Sequence, residues 1–142
     1  MNIAEGLELV EQFKHQFRNP NLEDFEVSPI YDLFPDTNTN PQFQKWPEEY
    51  QHNGRYGVYF ILDSEDTIIY IGKANNIGKR LGNYFKYDSN KNCEIIHENW
   101  SKKPKYLLTV AVPNKTWFEC LALEEYLIWE ISPIDNKRSI NF

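Results

Sequence analysis

The stretch from residue 57 to residue 80 constrains the fold of this chain more than any other part of the sequence. Two runs rich in β-forming residues flank a polar break at residues 63–66, a pattern typical of a hairpin with a four-residue loop. That loop length would place Tyr59 directly opposite Tyr70, and directly opposed side chains share one face of a sheet. The sequence therefore predicts a β-hairpin with two phenols on one face.

Both faces of this hairpin are apolar, so we expect both to be covered by other elements. With the register above, the predicted faces consist of Tyr59, Ile61, Ile68 and Tyr70 on one side and Val58, Phe60, Leu62, Ile69 and Ile71 on the other. The N-terminal third of the chain is a plausible cover for one of them.

Residues 1–53 are predicted to form an N-terminal extension to a domain at 54–142. Apolar residues recur at spacings of three and four over residues 3–18, which predicts an amphipathic helix ending before Pro20. Residues 19–53 hold five of the eight prolines and many large apolar side chains. Leaving such side chains in water costs about 1.5–3 kcal/mol each, so we expect an irregular segment wrapped over the core. The large side chains concerned are Phe25, Ile30, Tyr31, Leu33, Phe34, Phe43, Trp46 and Tyr50.

After the hairpin, the sequence predicts a short helix, a third strand and a second helix. The first helix would follow a cap at Asn75 or Asn76 and carry an apolar stripe running from Ile77 to Phe85. Residues 93–100 are compatible with a helical turn, and residues 106–112 predict a strand ended by Pro113.

The helix predicted at residues 115–131 is apolar nearly all round, so we expect it to be buried on most sides. Glu119 and Glu130 fall on one narrow sector, which predicts a solvent-facing edge. Glu124 and Glu125 fall instead among apolar residues, where a carboxylate needs a charged partner, a hydrogen bond or a metal. The helical pattern does not choose between them.

The charge distribution favours an anionic partner for only part of the chain. The net charge is −6, but residues 1–53 hold ten acidic and three basic residues, whereas the rest holds eleven acidic and twelve basic. A local basic face could therefore meet phosphate groups. The two cysteines and three histidines are scattered, so we expect free thiols and no zinc site. Without an apolar run long enough to span a bilayer, the chain is expected to be soluble and cytoplasmic.

The motifs Gly57-Val58-Tyr59 and Tyr70-Ile71-Gly72 resemble those of the GIY-YIG nucleases, most closely the nuclease domain at the N-terminus of the bacterial excinuclease C proteins. The resemblance continues through Lys79-Arg80, Glu124 and the run Pro133 to Asn136, and leaves residues 1–53 unmatched. It implies an α+β (α/β) fold, with a small three-stranded antiparallel sheet flanked by helices. It is also compatible with a role in DNA repair or restriction.

The resemblance also implies roles for individual residues. Glu124, rather than Glu125, would hold a single divalent cation, Mg²⁺ or Mn²⁺, and Arg80 would bind phosphate. Tyr59 is our preferred base and Tyr70 its orienting partner, with Lys73 as the cation that makes a phenol useful at neutral pH. Expected catalytic residues are Tyr59, Tyr70, Lys73, Arg80, Glu124 and Asn136, and expected DNA-binding residues are Lys79, Arg80, Lys86, Lys102 and Lys103.

The sequence therefore predicts a metal-dependent endonuclease that hydrolyses DNA with a tyrosine-activated water. An alternative is an inactive module of the same fold that binds nucleic acid or a protein. In that case the two tyrosines would be a packing pair and Glu124 would be an ion-pair partner of Arg80. A third interpretation gives residues 1–53 the main role, as a segment that recruits a protein partner, mediates self-association or shields the basic site.

Overall fold

The computed structural model describes residues 1–35, 44–45, 51–87, 92–97 and 99–137. No helix in these stretches combines the length and the apolar composition that crossing a membrane requires. The helices are α1 (Ile3–Phe17), α2 (Ile77–Gly82), α3 (Glu119–Ile131) and α4 (Ile134–Lys137), with a 3-10 turn at Asn114–Thr116. The strands are β1 (Glu26–Val27), β2 (Tyr31–Asp32), β3 (Gln44–Lys45), β4 (Gly57–Leu62), β5 (Ile68–Ala74), β6 (Phe85–Tyr87), β7 (Cys93–Ile95) and β8 (Tyr106–Ala111).

Among the described residues the main sheet has six strands, so the prediction of a three-stranded sheet is not confirmed. Its order is β3-β2-β8-β4-β5, with β1 also paired to β8. The three long strands β8, β4 and β5 are antiparallel, as expected. The additional strands come from the N-terminal segment, where β1 and β2 pair with β8 and β3 runs parallel to β2. The segment predicted to be irregular thus contributes backbone hydrogen bonds to the sheet.

The register of the central hairpin differs from the predicted one. Tyr59 lies opposite Gly72, and Tyr70 lies opposite Ile61. The register shifts between Ile61 and Leu62, which leaves Ile69 as an extra residue in β5. A slip of two residues keeps Tyr59 and Tyr70 on one face, because side chains alternate with a period of two. The bulge, however, exchanges the predicted faces of Ile68 and Ile69.

The loop chemistry explains this register. The Asp63 carboxylate accepts hydrogen bonds from the backbone amides of Glu65 and Thr67, at 2.9 and 3.0 Å. Such a side-chain turn closes a five-residue loop from residue 63 to residue 67. Asp66 completes it with a positive φ of 61°.

One face of the sheet is covered by α1 and α3. Helix α1 begins with a capping box formed by Asn2 and Glu5, and it buries Leu9, Val10 and Phe13 in this core. The predicted amphipathic helix is therefore confirmed, and so is its role as a cover for the hairpin.

Helix α3 differs from its prediction in two respects. Its outer side exposes large apolar residues, with Trp129 83% exposed, so it is not buried on most sides. Glu119 is not on a solvent edge, because its carboxylate accepts hydrogen bonds from Arg18 at 2.6 and 2.9 Å. The other exposed apolar residues beside or on α3 are Trp117, Phe118 and Leu121.

The opposite face of the sheet is covered by α2 and the segments around it. Helix α2 ends at Gly82, so Tyr84 and Phe85 are buried but lie beyond the helix that was predicted to include them. The helical turn predicted at residues 93–100 is wrong for its first part, where β7 pairs with β6. The predicted cover residues Phe43, Trp46 and Tyr50 lie outside the described residues.

Candidate functional site

Three tyrosines form a cluster on the face covered by α2. The ring centroids of Tyr59 and Tyr70 lie 6.3 Å apart, and that of Tyr84 lies 5.7 Å from Tyr59 and 6.2 Å from Tyr70. The phenolic oxygens of Tyr59 and Tyr84 are within hydrogen-bonding distance at 2.5 Å. Trp100 packs edge-on against Tyr70 and Tyr84, with centroids 5.7 and 5.9 Å away. The cluster therefore has a polar centre and an aromatic wall.

Gly72 makes room for this cluster. A Cβ atom at Gly72 would lie 2.9 Å from Cε2 of Tyr59 and still closer to the Cζ and Oη atoms. Since Tyr59 is fully buried, its ring has little space into which to retreat. The glycine of the second triplet thus allows the tyrosine of the first to lie flat across the neighbouring strand.

Arg80 is the cation that contacts the phenols. Its Nε donates to the Tyr59 oxygen at 3.4 Å, and its guanidinium carbon lies 5.5 Å from the centroid of Tyr84. Helix α2 positions it, since the Asn76 side chain caps the helix by accepting from the Lys79 amide at 3.2 Å. The same Asn76 oxygen accepts from the Gly54 amide at 2.9 Å, which ties the helix to the preceding segment.

Burial raises the pKa of each phenol in the cluster. The pKa of Tyr59 is raised to about 12, and the pKa values of Tyr70 and Tyr84 are raised further, mainly because burial penalises the phenolate. The positive charge of Arg80 lowers the pKa of all three. At neutral pH the phenols are therefore protonated.

Glu124 on α3 is close enough to Tyr70, Lys73 and Arg80 to interact with them electrostatically. It is half-buried, and burial raises the pKa of its carboxyl above 4.5. The charge of Lys73, the nearby Lys73 backbone amide and the charge of Arg80 act in the opposite direction. Glu125, the other candidate from the sequence, is exposed. The structure thus brings Glu124 near Lys73 and Arg80.

Lys73 has a different neighbour from the one expected. The sequence suggested that it would act on the phenols, but its charge acts on Glu124 and on Cys120. Arg80, and not Lys73, lies beside the tyrosines, because α2 carries Arg80 over the face of the sheet that holds them. Lys73 is exposed at the end of β5, next to Gly72.

Asn136 supports the edge of the sheet beside Tyr70. Its side-chain Oδ1 accepts from the Ile71 amide at 2.9 Å, and its Nδ2 donates to the Ile71 carbonyl at 2.8 Å. Because β5 ends the strand order, this amide replaces the hydrogen bonds that a further strand would make. The backbone that carries Tyr70 is thereby held in place.

Three neighbours of the site were not among the predicted site residues. Asp135 is fully buried and accepts from the Ser101 amide and hydroxyl, both at 3.1 Å, which anchors the segment that carries Trp100. Tyr84 was predicted to lie in the apolar stripe of a helix. The sequence signal that could have identified it as a site residue is its position in the Tyr-Phe pair directly after the basic helix. Trp100 had no signal, because its contacts depend entirely on tertiary structure.

The predicted DNA-binding lysines are spread over the surface. Lys79 lies on α2 beside Arg80. Lys86 is 3.7 Å from Glu94, and Lys102 is 3.5 Å from Glu65 in the hairpin loop. The Lys103 amine sits 3.9 Å from the centroid of the Phe34 ring. The DNA-binding roles of all four lysines therefore stay predictions.

The candidate site offers one carboxylate to a metal ion. The described residues contain no group of three or more His, Cys, Asp or Glu side chains arranged to hold a metal. A cation at Glu124 would have to complete its shell with water and substrate oxygens, which suits Mg²⁺ better than Zn²⁺ or Ca²⁺. A half-buried carboxylate with a raised pKa is also one that a nearby cation would stabilise.

Comparison with known proteins identifies relatives of residues 55–137, the part of the chain that contains this site. A family model described as a UvrC-like GIY-YIG domain matches residues 55–137. The UvrABC system protein C of Chlamydia trachomatis serovar D is 38% identical over 79 residues, which cover 54% of this chain and 12% of the relative. That of Dictyoglomus thermophilum is 39% identical over 80 residues, covering 56% and 12%. That of Pseudomonas syringae pv. syringae is 36% identical over 83 residues, covering 57% and 12%.

Proposed function

The chain belongs to the UvrC-like GIY-YIG domain family, and on that basis we propose that it is an endonuclease that hydrolyses DNA phosphodiester bonds. The observation that supports this most strongly is the convergence of Tyr59, Tyr70, Arg80 and Glu124 from four different elements. The aligned part is only 12% of the length of the relatives named above, so their substrates and partners are not transferred to this chain.

In this proposal the two motif tyrosines have different tasks. Tyr59 is fully buried and hydrogen-bonded to Tyr84 and Arg80. Tyr70 is half-buried, and in addition to burial the charge of Glu124 raises its pKa. We therefore assign Tyr70 to the attacking water and Tyr59 to the orientation of Arg80, which reverses our preference from the sequence. A group that takes a proton from water has to reach that water, and Tyr70 could take it only as the phenolate, after giving up its own proton to solvent, a loss that the positive charge of Arg80 favours.

Arg80 and Lys73 would provide the positive charge in the site. The planar guanidinium of Arg80 suits the oxygens of a phosphate, and its charge also lowers the pKa values of the phenols. Lys73 lies beside Glu124 and balances that carboxylate. Asn136 would keep the Tyr70 backbone aligned through its two bonds to Ile71.

Glu124 would hold a divalent cation, Mg²⁺ or Mn²⁺. When bound, such a cation stabilises negative charge on the phosphate and on the leaving oxygen. Glu124 would keep its own charge there because the neighbouring Lys73 and Arg80 favour the ionised carboxylate.

Supercoiled plasmid incubated with the protein and Mg²⁺ tests this function. We expect nicked or linear products from the wild type and from Glu125→Gln, and loss of at least about a hundredfold in rate for Glu124→Gln. Glu125 provides a matched control, since it is exposed and adjacent on the same helix. If the wild type cuts no supercoiled, linear, gapped or single-stranded DNA with Mg²⁺ or Mn²⁺, the enzyme assignment is wrong.

The alternative of an inactive module that binds nucleic acid or a protein partner is supported by the single carboxylate that the site offers to a metal, and the net charge of −6 favours the protein partner. Binding that weakens steeply with salt, without cleavage under any of these conditions, would select that alternative.

We also propose a structural role for the N-terminal segment. Strands β1 and β2 pair with β8, and Arg18 contributes a buried ion pair to α3. Deletion of residues 1–53 should therefore give an insoluble or unfolded fragment. A folded fragment with higher nuclease activity would instead support shielding of the site by this segment.

A further inference from the structure

A basic cleft opens between the end of β5 and α2, beside the tyrosine cluster. It has a volume of about 600 Å³, within the range of ligand-binding pockets. Its lining side chains are three cations and three amides, apart from one alanine. The polar lining residues are Lys73, Asn75, Asn76, Lys79, Arg80 and Asn83.

The lining of the cleft contains three cations and no acidic residue, and Glu124, which lies outside the lining, interacts with two of them, Lys73 and Arg80. Within the described ranges, Lys79 makes no ion pair and its side chain is exposed. Lys86 and Lys102, by contrast, lie beside glutamates. The positive charge of this cleft contrasts with the net charge of −6 of the whole chain. A concave cationic surface concentrates anions from solution.

The polar groups of the cleft differ in their availability. The side-chain oxygen of Asn76 already accepts hydrogen bonds from the backbone amides of Lys79 and Gly54. Asn75 and Asn83 are exposed, and their amides can donate hydrogen bonds to an anion. Lys79 with these two amides therefore forms the part of the cleft directed at a ligand.

Arg80 belongs both to the cleft and to the tyrosine cluster. Its Nε contacts Tyr59, and its side chain also lines the cleft. A phosphate in the cleft and a phosphate beside Tyr70 would thus lie on either side of one guanidinium. Consecutive phosphates of a single strand meet this requirement, whereas one isolated phosphate would occupy only one of the two places.

We propose that the cleft is a second phosphate subsite, in which Lys79, Asn75 and Asn83 bind the phosphate next to the one that is cleaved. This inference rests on the proposed function. It specifies the substrate as a nucleic acid backbone charged on at least one side of the cleaved bond. It also makes Lys79 a determinant of substrate binding and not of the chemical step.

Oligonucleotides with one neutral methylphosphonate at each position around the cleavage site test the subsite. For the wild type, we expect KM to rise about tenfold at one neighbouring position, with little change in kcat, because a charge-assisted contact is lost. Lys79→Gln should raise KM by a similar factor on the unmodified substrate. In this variant, the methylphosphonate at that position should add little further, since both changes remove the same contact.

Lys115→Gln is the matched control. It removes one exposed lysine outside the lining of the cleft, so its response to the modified substrates should follow the wild type. The subsite would be overturned if Lys79→Gln and the methylphosphonate raised KM by factors that multiply. It would also be overturned if no neighbouring phosphate position were sensitive to the methylphosphonate.

A binding measurement separates this inference from the nuclease assignment. In EDTA, fluorescence anisotropy of a labelled oligonucleotide should show a salt slope smaller by about one for Lys79→Gln than for Lys115→Gln. That result, together with no cleavage in the separate assays with Mg²⁺ and Mn²⁺, would keep the cleft as a phosphate-binding site and reject the enzyme. Equal slopes for the two variants would reject the subsite whether or not the DNA is cut.

Discussion

The contact between Gly72 and Tyr59 predicts the effect of adding a single methyl group. In Gly72→Ala, the new Cβ would lie within 2.9 Å of Cε2 of Tyr59 and closer to two further atoms of that side chain. Atoms this close must move apart, and the fully buried ring is bonded to Tyr84 and Arg80. Overpacking of this kind costs about 1–3 kcal/mol.

Gly82→Ala provides a control of opposite sign. Gly82 ends α2, and nothing lies within 4 Å of an added Cβ there. Alanine in a helix is favoured over glycine by up to about 1 kcal/mol, so this variant should be equally or more stable than the wild type.

Urea unfolding followed by far-ultraviolet circular dichroism measures both effects. With a slope of about 2 kcal/mol per molar, a loss of about 2 kcal/mol lowers the midpoint for Gly72→Ala by about 1 M. The slope itself should not change, because the fold is retained. An unchanged midpoint for Gly72→Ala, with the expected result for Gly82→Ala, would show that Tyr59 does not lie across Gly72.

Three further predictions concern other parts of the structure. Asn136→Ala should destabilise the fold by about 1–3 kcal/mol and remove the hydrogen-exchange protection of the Ile71 amide, whereas Asn136→Asp, which keeps the acceptor, should retain part of it; equal protection in all three proteins would contradict the role of this side chain. Burial raises the folded-state pKa of Glu124 above 4.5, so its stabilising contribution is present below pH 4.5 and is lost as pH rises through that raised value. Metal-free Glu124→Gln should therefore gain stability relative to wild type as pH rises above 4.5 in pH-dependent urea titrations, and a constant difference would refute this. Arg18→Gln should lower the free energy of unfolding by about 3–5 kcal/mol, because it leaves Glu119 buried without its partner. A double-mutant cycle with Glu119→Gln should show strong coupling, and additive losses would exclude a stabilising ion pair between these two side chains.

Local patterns in the sequence predicted the elements whose formation depends on nearby residues. The spacing of apolar residues predicted α1, and Asn76 was correctly among the expected caps of α2. The run of β-forming residues at 57–62 and the apolar run at residues 106–112 predicted β4 and β8. These signals lie within one element, so they can be read without knowledge of its neighbours.

Predictions that depended on contacts between distant elements were less accurate. The register of β4 and β5 changed because Asp63 closes a longer loop and Ile69 forms a bulge. Strands β1 and β2 are too short to show any periodicity, and they form because β8 offers them backbone partners. Neither effect has a signature in residue spacing.

The helical pattern of α3 also failed to predict its surroundings. A wheel shows which residues share a sector but not which sectors meet another element. Arg18, about a hundred residues away, turns the sector of Glu119 inward, while Trp129 is left exposed. Burial of a helix face is decided by the packing of the whole domain.

The sequence by itself determined the family, through two triplets and the residues that follow them in order, because such motifs are conveyed by residue identity and spacing alone. It also proposed Glu124 through that resemblance. Only the tertiary structure decided that Arg80 and not Lys73 contacts the phenols, that Tyr70 is the more accessible tyrosine, and that Lys79 lines a cleft together with Lys73 and Arg80. Distances, burial and charge between side chains arise when distant segments pack together, and no linear pattern records them.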